Sequence, residues 1–279
     1  MSFAIVTDST SDISAELAAE RGIDVVPLSV TIGDETMLDD TLTQTEFFER
    51  MASAPRLPTT SQPSVGAFVE VYERALAKAE EVLSIHISSK LSGTFDSATQ
   101  AAAQFAGRVH VFDSRNLSWG LSLQVLEATA AAAQGLGIAA TLERLESARD
   151  RTKLIVGLDS LDNLAKGGRI GKVSAFLGAM LDLKVTLTVD PTGAFQPVAR
   201  SRGEKAALRH TLEWVSGHMG EHTRGRFAVG YAMKRERAEY LADQIRQRFD
   251  AIELHIYEAG SVISTHTGTG WGVALLPED

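Results

Sequence analysis

The feature that most constrains the fold is a regular alternation of short apolar runs with longer helical patterns in the first half of the chain. Apolar runs at Phe3–Val6, Val82–Ile87 and Val109–Phe112 each lead into polar residues, which predicts buried strands followed by loops. Helical patterns alternate with these runs. Val65–Ala79 precedes the second run, and an alanine-rich segment from Trp119 to Gln134 follows the third. This alternation predicts a mostly parallel sheet with helices on both faces, a Rossmann-like three-layer α/β arrangement.

The second half of the chain has a different pattern, in which hairpin-linked strands mix with crossover helices. The segment Pro191–Gly193 is a turn signal between two β-rich segments, Lys184–Val189 and a run that ends near Ala199. Helical and β-rich segments then alternate towards the C terminus. We therefore expect an N-terminal parallel α/β domain over residues 1–152 and a C-terminal α/β domain with a mixed sheet over residues 153–279.

Composition and charge exclude several classes of function. The net charge of -9 argues against a nucleic-acid partner, which needs clustered Lys and Arg. The sequence contains no cysteine, which excludes disulfides and zinc-thiolate sites. The first residues lack the pattern of a secretory signal, and no apolar run approaches the roughly 18 residues of a membrane span. The default location is therefore the cytoplasm.

The segment Ile87–Phe95 combines the end of a strand, a hydroxyl-rich turn and the start of a helix. The first N–H groups of a helix have no intrahelical partners and carry the positive end of its dipole. Ser92 and Thr94 place hydroxyls beside these groups, on either side of Gly93, and this arrangement suits a carboxylate or a phosphate. The alternative is that Ser92 simply caps the helix, since Ser leads the N-cap ranking.

Other polar stretches are expected close to this turn. Asp8-Ser9 and Asp113-Ser114 follow predicted strands, and parallel strands bring their carboxyl ends to one edge of a sheet. The prolines of Leu57–Ser64 predict an extended loop whose Thr and Ser side chains could face one ligand. A glycine-dense loop, Ser264–Gly272, surrounds His266, and a histidine in such a loop is as good a candidate for ligand binding as for a structural role.

Three apparent motifs fail on inspection. Gly167–Ser174 resembles a phosphate-binding loop, but one glycine is displaced by one position and a valine replaces the hydroxyl residue that meets magnesium. In Gly268–Gly272 the third glycine comes one residue early for a dinucleotide-binding fingerprint, and no helix is predicted to follow. His218 and His222 have a metal-compatible spacing, but Gly220 interrupts the helix between them. Surface histidines are therefore favoured over a metal site.

Five stretches, in this order, resemble the DegV family, which includes the fatty-acid-binding subunit of bacterial fatty acid kinase. The stretches are Ile5–Asp12, Thr59–Ser64, Ser88–Thr94, Lys166–Ile170 running on to Lys184, and His266–Gly268. They span nearly the whole chain, so a chance occurrence of all five in order is implausible. The sequence departs from the family at Thr269, where proline is expected, and this bears on the rigidity of the loop more than on a contact by His266.

The resemblance implies a two-domain α/β protein that encloses one long-chain fatty acid between its domains. The groups that would meet the carboxylate are the hydroxyls of Thr60 and Ser92, the N–H of Gly93 and the ring of His266, with Ser61 and Thr94 in second rank. By the same resemblance the protein has no catalytic residue, no metal and no cofactor beyond the bound fatty acid. It would present the carboxylate to a separate ATP-dependent kinase subunit, which makes an acyl phosphate for phospholipid synthesis.

Two further assignments concern the partner and the acyl chain. Arg169 and Arg202 are candidate contacts for the kinase or for the transferred phosphate, since Arg forms fork-like bonds to oxyanions; solvated surface arginines are the competing interpretation. A helix is predicted over Ser174–Leu181. Its apolar part, Ala175–Leu181, fits either the lining of an acyl tunnel or an ordinary core helix.

Two other classes of function stay open at this point. One is a hydrolase or phosphatase that uses Asp8 or Ser92 with His266 as the base. The absence of flanking glycines around Ser92 weakens the serine-hydrolase version. The other is a lipid-responsive regulator that has no kinase partner. Resemblance alone ranks the carrier above the regulator.

Overall fold

The computed structural model describes residues 3–39, 41–176 and 183–278. Its strands are β1 (Phe3–Asp8), β2 (Ile23–Val26), β3 (Ser29–Ile32), β4 (Glu35–Leu38), β5 (Thr59–Ser61), β6 (Glu81–His86), β7 (Val109–Asp113), β8 (Lys153–Leu158), β9 (Leu183–Val189), β10 (Phe195–Arg202), β11 (Arg224–Tyr231), β12 (Asp250–Glu258) and β13 (Gly270–Glu278). Its α-helices are α1 (Ala15–Arg21), α2 (Gln44–Ser53), α3 (Val65–Leu76), α4 (Thr94–Ala102), α5 (Ser118–Ala133), α6 (Ile138–Arg151), α7 (Asp162–Lys166), α8 (Glu204–Met219), α9 (Arg235–Arg248) and α10 (Ser261–Thr267). Short 3-10 helices lie at Ser9–Ser11, Ala103–Phe105 and Gly171–Phe176.

Strands of the first half form the parallel sheet that the alternation predicts. Its order is β2-β1-β6-β7, and each neighbouring pair runs parallel. Thr7 lies opposite Ile85 in the register of β1 and β6. Asp8, His86 and Asp113 are consequently the last residues of three neighbouring strands at one edge of this sheet.

The second half contributes a mixed sheet, as predicted. Its order is β10-β9-β8-β13-β11-β12, and only the pair of β11 and β12 is parallel among these described strands. The sheet begins in sequence with β8 at Lys153. A boundary between domains at residues 152 and 153 stays a prediction, and it coincides with the start of this strand.

Helix α5 lies between the two large sheets and joins them. It contacts β1 and β6 on one side and β8, β11 and β13 on the other. Leu121, Leu123 and Val125 are fully buried, and they belong to one apolar cluster that also holds Leu83 from the parallel sheet and Leu154 from the mixed sheet. Burial on all sides explains why this helix is rich in alanine and leucine rather than amphipathic.

Local sequence signals explain several element boundaries. Thr43 begins α2 with a capping box, since its Oγ1 accepts from the Glu46 N–H (3.3 Å) and its own N–H donates to the Glu46 carboxylate (3.0 Å). Ser14 is the N-cap residue of α1, and its Oγ accepts from the Leu17 N–H (3.2 Å). That helix ends at Gly22, whose φ of 66° is left-handed.

Two segments differ from the sequence predictions. The extended loop predicted around Thr60 is in part a strand, since β5 pairs with β3 in a small antiparallel sheet of order β4-β3-β5. Three residues without an apolar alternation are too short a strand signal, and pairing with β3 determines their conformation. A helix over Ser174–Leu181 is wrong at its start, because Gly171–Phe176 is a 3-10 helix, while residues 177–182 lie outside the described residues.

The glycine-dense loop predicted around His266 is also wrong, because its first part is helix α10. This helix is built largely from Ser, Thr and β-branched residues, which are poor helix formers. The Asp39 carboxylate, far away in sequence, accepts from the Val262 N–H (2.7 Å) at its first turn. Hydroxyls of Thr265 and Thr267 donate to carbonyl groups four residues earlier (2.8 and 3.0 Å). A capping contact from a residue distant in sequence therefore stabilises this helix.

Candidate functional site

The candidate site is a cavity where β5, α10 and the turn before α4 meet, and we name it the histidine cavity. The space measures about 460 Å³, part of which is open to solvent. The polar lining consists of Thr10, Thr60, Ser92, Arg169, His266 and Thr267. The apolar lining consists of Leu28, Ile87, Leu91, Leu117, Phe195, Val262 and Ile263. These residues come from both halves of the chain.

Thr60 and His266 form the hydrogen bond at the centre of the polar lining. Thr60 Oγ1 lies 2.8 Å from His266 Nε2, and the two residues are 206 positions apart in sequence. Strand β5 places Thr60 opposite Val30 of β3. Neighbouring residues on a strand point to opposite faces, which explains why Thr60 lines the cavity while Ser61 is exposed.

The turn before α4 supplies a second hydroxyl. Ser92 Oγ accepts from the Thr94 N–H (3.2 Å) and lies 2.8 Å from Thr94 Oγ1. The N-cap residue of α4 is Gly93, so Ser92 stands one position before the cap and is not the N-cap residue itself. Thr94 is fully buried and supports Ser92 without lining the cavity. Among the described residues no partner accepts the N–H of Gly93.

His266 is electrically neutral at pH 7. Burial lowers the pKa of His266 to about 4, and the nearby positive charge of Arg169 acts in the same direction. Its Nδ1 has no hydrogen-bond partner among the described residues, because that edge of the ring packs against the backbone at Gly167. A Cβ at Gly167 would lie only 2.4 Å from Nδ1, so glycine is required there for the ring to keep its position.

Arg169 stands at the exposed rim of the histidine cavity. Its Nε donates to the Leu91 carbonyl (3.3 Å) and its Nη1 to the Gly167 carbonyl (2.6 Å). These two bonds connect the α7 region to the turn before α4. Arg202, the other predicted cation, lies exposed at the end of β10 and is not among the described residues that line the cavity.

The Asp8 carboxylate makes its hydrogen bonds in the core and does not line the histidine cavity. Its Oδ2 lies 2.9 Å from His86 Nδ1 and accepts from the Ile87 N–H (3.1 Å). His86 Nε2 continues to Ser84 (2.6 Å) and Ser84 to the hydroxyl of Tyr72 (2.9 Å). Asp8, Ser84 and His86 are fully buried. Asp8 contributes indirectly, since its Oδ1 accepts from the backbone N–H of Thr10 (3.1 Å), which lines the cavity.

Other predicted residues lie away from the cavity. Asp113 ends β7 and accepts from the Ser89 hydroxyl (2.7 Å). His218 is exposed and stacks on Trp214 with ring centroids 3.8 Å apart. Within the described residues no group of three or more His, Asp or Glu side chains is placed to hold a metal ion.

Thr269 replaces the expected proline without leaving its loop unsupported. Its hydroxyl donates to Asp159 Oδ2 (2.9 Å). The same carboxylate accepts two bonds from Arg237 (3.0 and 3.1 Å), whose side chain is only 1% exposed. A charged acceptor held in this way strengthens the hydrogen bond of Thr269, and the loop after α10 is therefore anchored to the mixed sheet.

A second cavity adjoins the first, and we name it the glycine chamber. Its volume is about 410 Å³. Leu117, Ile263 and Thr267 line both cavities, so the two spaces share a wall. The chamber is lined mainly by aliphatic and aromatic residues and by three glycines. These glycines are Gly230, Gly270 and Gly272.

Most of the chamber carries no local sequence signal. Its aliphatic wall residues, such as Leu154 and Val156 on β8, are indistinguishable in sequence from core residues. The one usable signal was the glycine content of β11 and β13, since glycine inside a strand often marks close approach by a ligand or another side chain. Thr10 was missed because it follows β1 in a segment that reads as a polar loop.

Within the part of the chain that is described, no helix combines the length and the apolar character of a membrane span.

Comparison with known proteins identifies the family. The chain matches the family model described as "Uncharacterised protein, DegV family" over residues 2–278. A DegV domain-containing protein of Deinococcus radiodurans is 38% identical over 284 residues, which cover 99% of each chain. A structure described as fatty acid binding of a DegV family protein from Thermus thermophilus is similar with a TM-score of 0.95 and 36% identity, covering 100% of both chains.

A third comparison agrees with these two. The structure of DegV from Bacillus subtilis, described as a fatty acid binding protein, has a TM-score of 0.90 and 29% identity and covers 100% of both chains. The chain therefore belongs to the DegV family.

Proposed function

We propose that this DegV-family protein binds one long-chain fatty acid, with the carboxylate in the histidine cavity and the acyl chain in the glycine chamber. The observation that carries this proposal is the contrast between two adjoining cavities. Both have mainly apolar linings, but only the histidine cavity also holds an imidazole, a guanidinium and a group of hydroxyls from three separate segments. The fatty acid binding described for the relatives from Thermus thermophilus and Bacillus subtilis supports it.

The polar groups are arranged to donate to an anion. A hydroxyl has only one proton to give. When the neutral His266 ring carries its proton on Nε2, it donates to Thr60 Oγ1, which leaves the Thr60 O–H free for the carboxylate. When Thr94 donates its hydroxyl proton to Ser92, the Ser92 O–H is free in the same way. The N–H of Gly93 and the positive charge of Arg169 complete an environment that favours a negative charge.

The two cavities would contribute differently to affinity. Burying about a dozen methylenes contributes roughly 10 kcal/mol before the costs of binding, at about 0.8 kcal/mol each. A hydrogen bond to a charged group contributes about 1.5 to 3 kcal/mol. The acyl chain would therefore dominate affinity, and the polar groups would determine which end of the ligand lies at the histidine cavity.

The protein would act as a carrier that presents the carboxylate to a separate ATP-dependent kinase. A carboxylate oxygen would attack the γ-phosphorus of ATP on the kinase, giving an acyl phosphate and ADP. Arg169 supports this step because its guanidinium is exposed at the rim, where it can stabilise charge on the transferred phosphoryl group. Arg202 would serve only as a docking contact, since it lies outside the cavity lining.

The geometry does not favour the hydrolase alternative. Among the described residues, neither Asp8 nor Ser92 makes a hydrogen bond with His266. A nucleophile needs a base within hydrogen-bond reach. The binding role is therefore preferred, and no catalytic residue is assigned.

Calorimetric titration with a fatty acid and with the fatty alcohol of equal chain length tests the binding site. We expect the acid to bind about tenfold or more tightly, because only the acid offers a charged acceptor. Equal affinities would show that the polar groups do not recognise the carboxylate.

A kinase assay tests the carrier role. We expect Ser92→Ala to retain measurable fatty acid binding but to lose acyl phosphate formation when it is combined with a purified fatty acid kinase. The reason is that the chain keeps its apolar contacts while the carboxylate loses a donor that orients it. Abolished binding with an intact fold would contradict this division of roles. No acyl phosphate from the unaltered protein would instead favour the lipid-responsive regulator.

A further inference from the structure

A third space lies beyond the glycine chamber, and we name it the acidic groove. It is an open groove of about 1740 Å³ beside α1 and β12. Its carboxylates belong to Asp12, Glu16, Glu20, Asp39 and Glu258. Tyr231 and Tyr257 line both the groove and the chamber. These two residues therefore separate an apolar space from a charged one.

Tyr257 is the better fixed of the two. It stands opposite Gly230 in the register of β11 and β12, and a Cβ at Gly230 would lie 2.4 Å from its Cζ. The Trp119 ring packs beside it with centroids 4.9 Å apart. Its hydroxyl lies 2.8 Å from Ser118 Oγ. The backbone at Gly230, the Trp119 ring and the Ser118 hydroxyl therefore hold the Tyr257 side chain in place.

The contact of the Tyr257 hydroxyl continues into hydrogen bonds that link the two halves of the chain. We name the residues that make them, Asp12, Ser118 and Gly260, the bracket. Ser118 Oγ donates to Asp12 Oδ2 (2.6 Å), and Asp12 Oδ1 accepts from the Gly260 N–H (3.0 Å). Asp12 and Ser118 both have left-handed backbones, with φ of 55° and 51°. Such conformations of non-glycine residues persist only where the surroundings fix them. The bracket therefore holds the Tyr257 hydroxyl in one place.

We propose that Tyr257 is the end wall of the acyl site and sets the upper limit of fatty acid chain length. This inference rests on the proposed function. Each methylene buried in the chamber raises affinity about fourfold. A methylene that passed Tyr257 would enter a groove that is open to solvent and lined in part by carboxylates, where it would gain nothing. Affinity should therefore rise with chain length up to this ring and then stop rising.

Binding of saturated fatty acids of increasing length to four proteins tests the proposal. In the unaltered protein we expect a chain length at which affinity stops rising. Tyr257→Ala should move this break to longer chains, because the space that the ring fills then becomes part of the chamber. Tyr257→Phe should leave the break in place, since the ring remains. Tyr240→Ala, which removes an exposed tyrosine of α9, is the matched control and should change nothing.

The outcomes separate the two proposals. A break at the same chain length in Tyr257→Ala would overturn the end-wall role while leaving fatty acid binding intact. No binding of any chain length by the unaltered protein would overturn the proposed function itself. If Tyr257→Ala fails to fold, Tyr257→Leu is measured instead, and it should move the break in the same direction by a smaller step.

Discussion

The two ends of the candidate ligand site are built on different principles. In the histidine cavity, few groups matter, and each has a defined partner: His266 with Thr60, and Ser92 with Thr94. In the glycine chamber no single polar contact stands out, and the lining consists mainly of apolar side chains. One end depends on hydrogen-bond geometry, and the other depends on volume.

This difference predicts different responses to mutation. Filling the chamber prevents several methylenes of the ligand from being buried, and each buried methylene contributes about 0.8 kcal/mol to binding. Loss of a polar partner removes one interaction of about 1.5 to 3 kcal/mol. Affinity should therefore be most sensitive in the chamber, while orientation and chemistry at the carboxylate should be most sensitive in the histidine cavity.

The largest effect is expected from filling the chamber. Val156 lines it from β8 and stands opposite Gly272 of β13, so Val156→Phe would place a ring where four or so methylenes would lie. We expect affinity for a long-chain fatty acid to fall about a hundredfold, measured by calorimetric titration.

A short-chain acid provides the control for that variant. It occupies only the histidine cavity, so its affinity should be the same in Val156→Phe and in the unaltered protein, and thermal unfolding shows whether the variant is folded. Equal loss for short and long chains would mean that the chamber does not hold the acyl chain.

A smaller effect is expected from moving the histidine. In Gly167→Ala the new Cβ would lie 2.4 Å from His266 Nδ1, which forces the ring away from Thr60. The backbone at Gly167 has a φ of -74°, so alanine fits the conformation, and the ring is the tightest contact of the new Cβ, ahead of the Asn163 carbonyl at 3.1 Å. We expect affinity to fall about tenfold for acids of every chain length.

Gly217→Ala is the matched control for this substitution. Gly217 lies in α8 with no other atom within 4 Å of an added Cβ. Its replacement should leave affinity unchanged and raise stability slightly, by about 1 kcal/mol at most. Unchanged binding in Gly167→Ala would argue that the position of His266 is irrelevant to the ligand.

The last prediction concerns stability against pH, and the effect has opposite signs at the two ends. Burial lowers the pKa of His266 from 6.5 to about 4, so its contribution to stability is present above pH 6.5 and is lost as the pH falls towards 4. Burial raises the pKa of Asp12, beside the chamber's end, from 3.8 to about 8. Its contribution is present below pH 3.8 and is lost as the pH rises towards 8.

Urea unfolding across this pH range measures both slopes. Relative to Asp12→Asn, the unaltered protein should lose stability between pH 4 and pH 8. Relative to His266→Gln, it should gain stability between pH 4 and pH 6.5. Parallel slopes in the two comparisons would show that one of these groups is not shifted as described.

Sequence patterns were sufficient for the parallel sheet and for most of the mixed one. Apolar runs such as Val82–Ile87 need only local burial to become strands, and helix starts such as Thr43 carry their own capping residues. Helix α10 could not be predicted in this way. Its first turn is capped by Asp39 through the Val262 N–H, and nothing near Val262 in sequence reports that contact.

The same reasoning explains how the site was predicted. The resemblance to the DegV family implies that Thr60, Ser92 and His266 meet one carboxylate, and the structure places all three around one cavity. Their contact with a carboxylate stays a prediction. Ser61 points away from it because residues on a strand alternate. Tyr257 was missed because its role depends on Gly230 and Ser118, from two other elements. The segment Ala175–Leu181 extends beyond the described residues, and its lining role stays a prediction.

Mass spectrometry of the lipid released by denaturing extraction of the purified protein tests the central claim most directly. The Ser92→Ala/His266→Ala double variant is extracted alongside. If the protein binds one fatty acid through the histidine cavity, we expect about one long-chain fatty acid per chain in the unaltered protein and a lower content in the double variant. An empty protein that also fails to take up added fatty acids would contradict it.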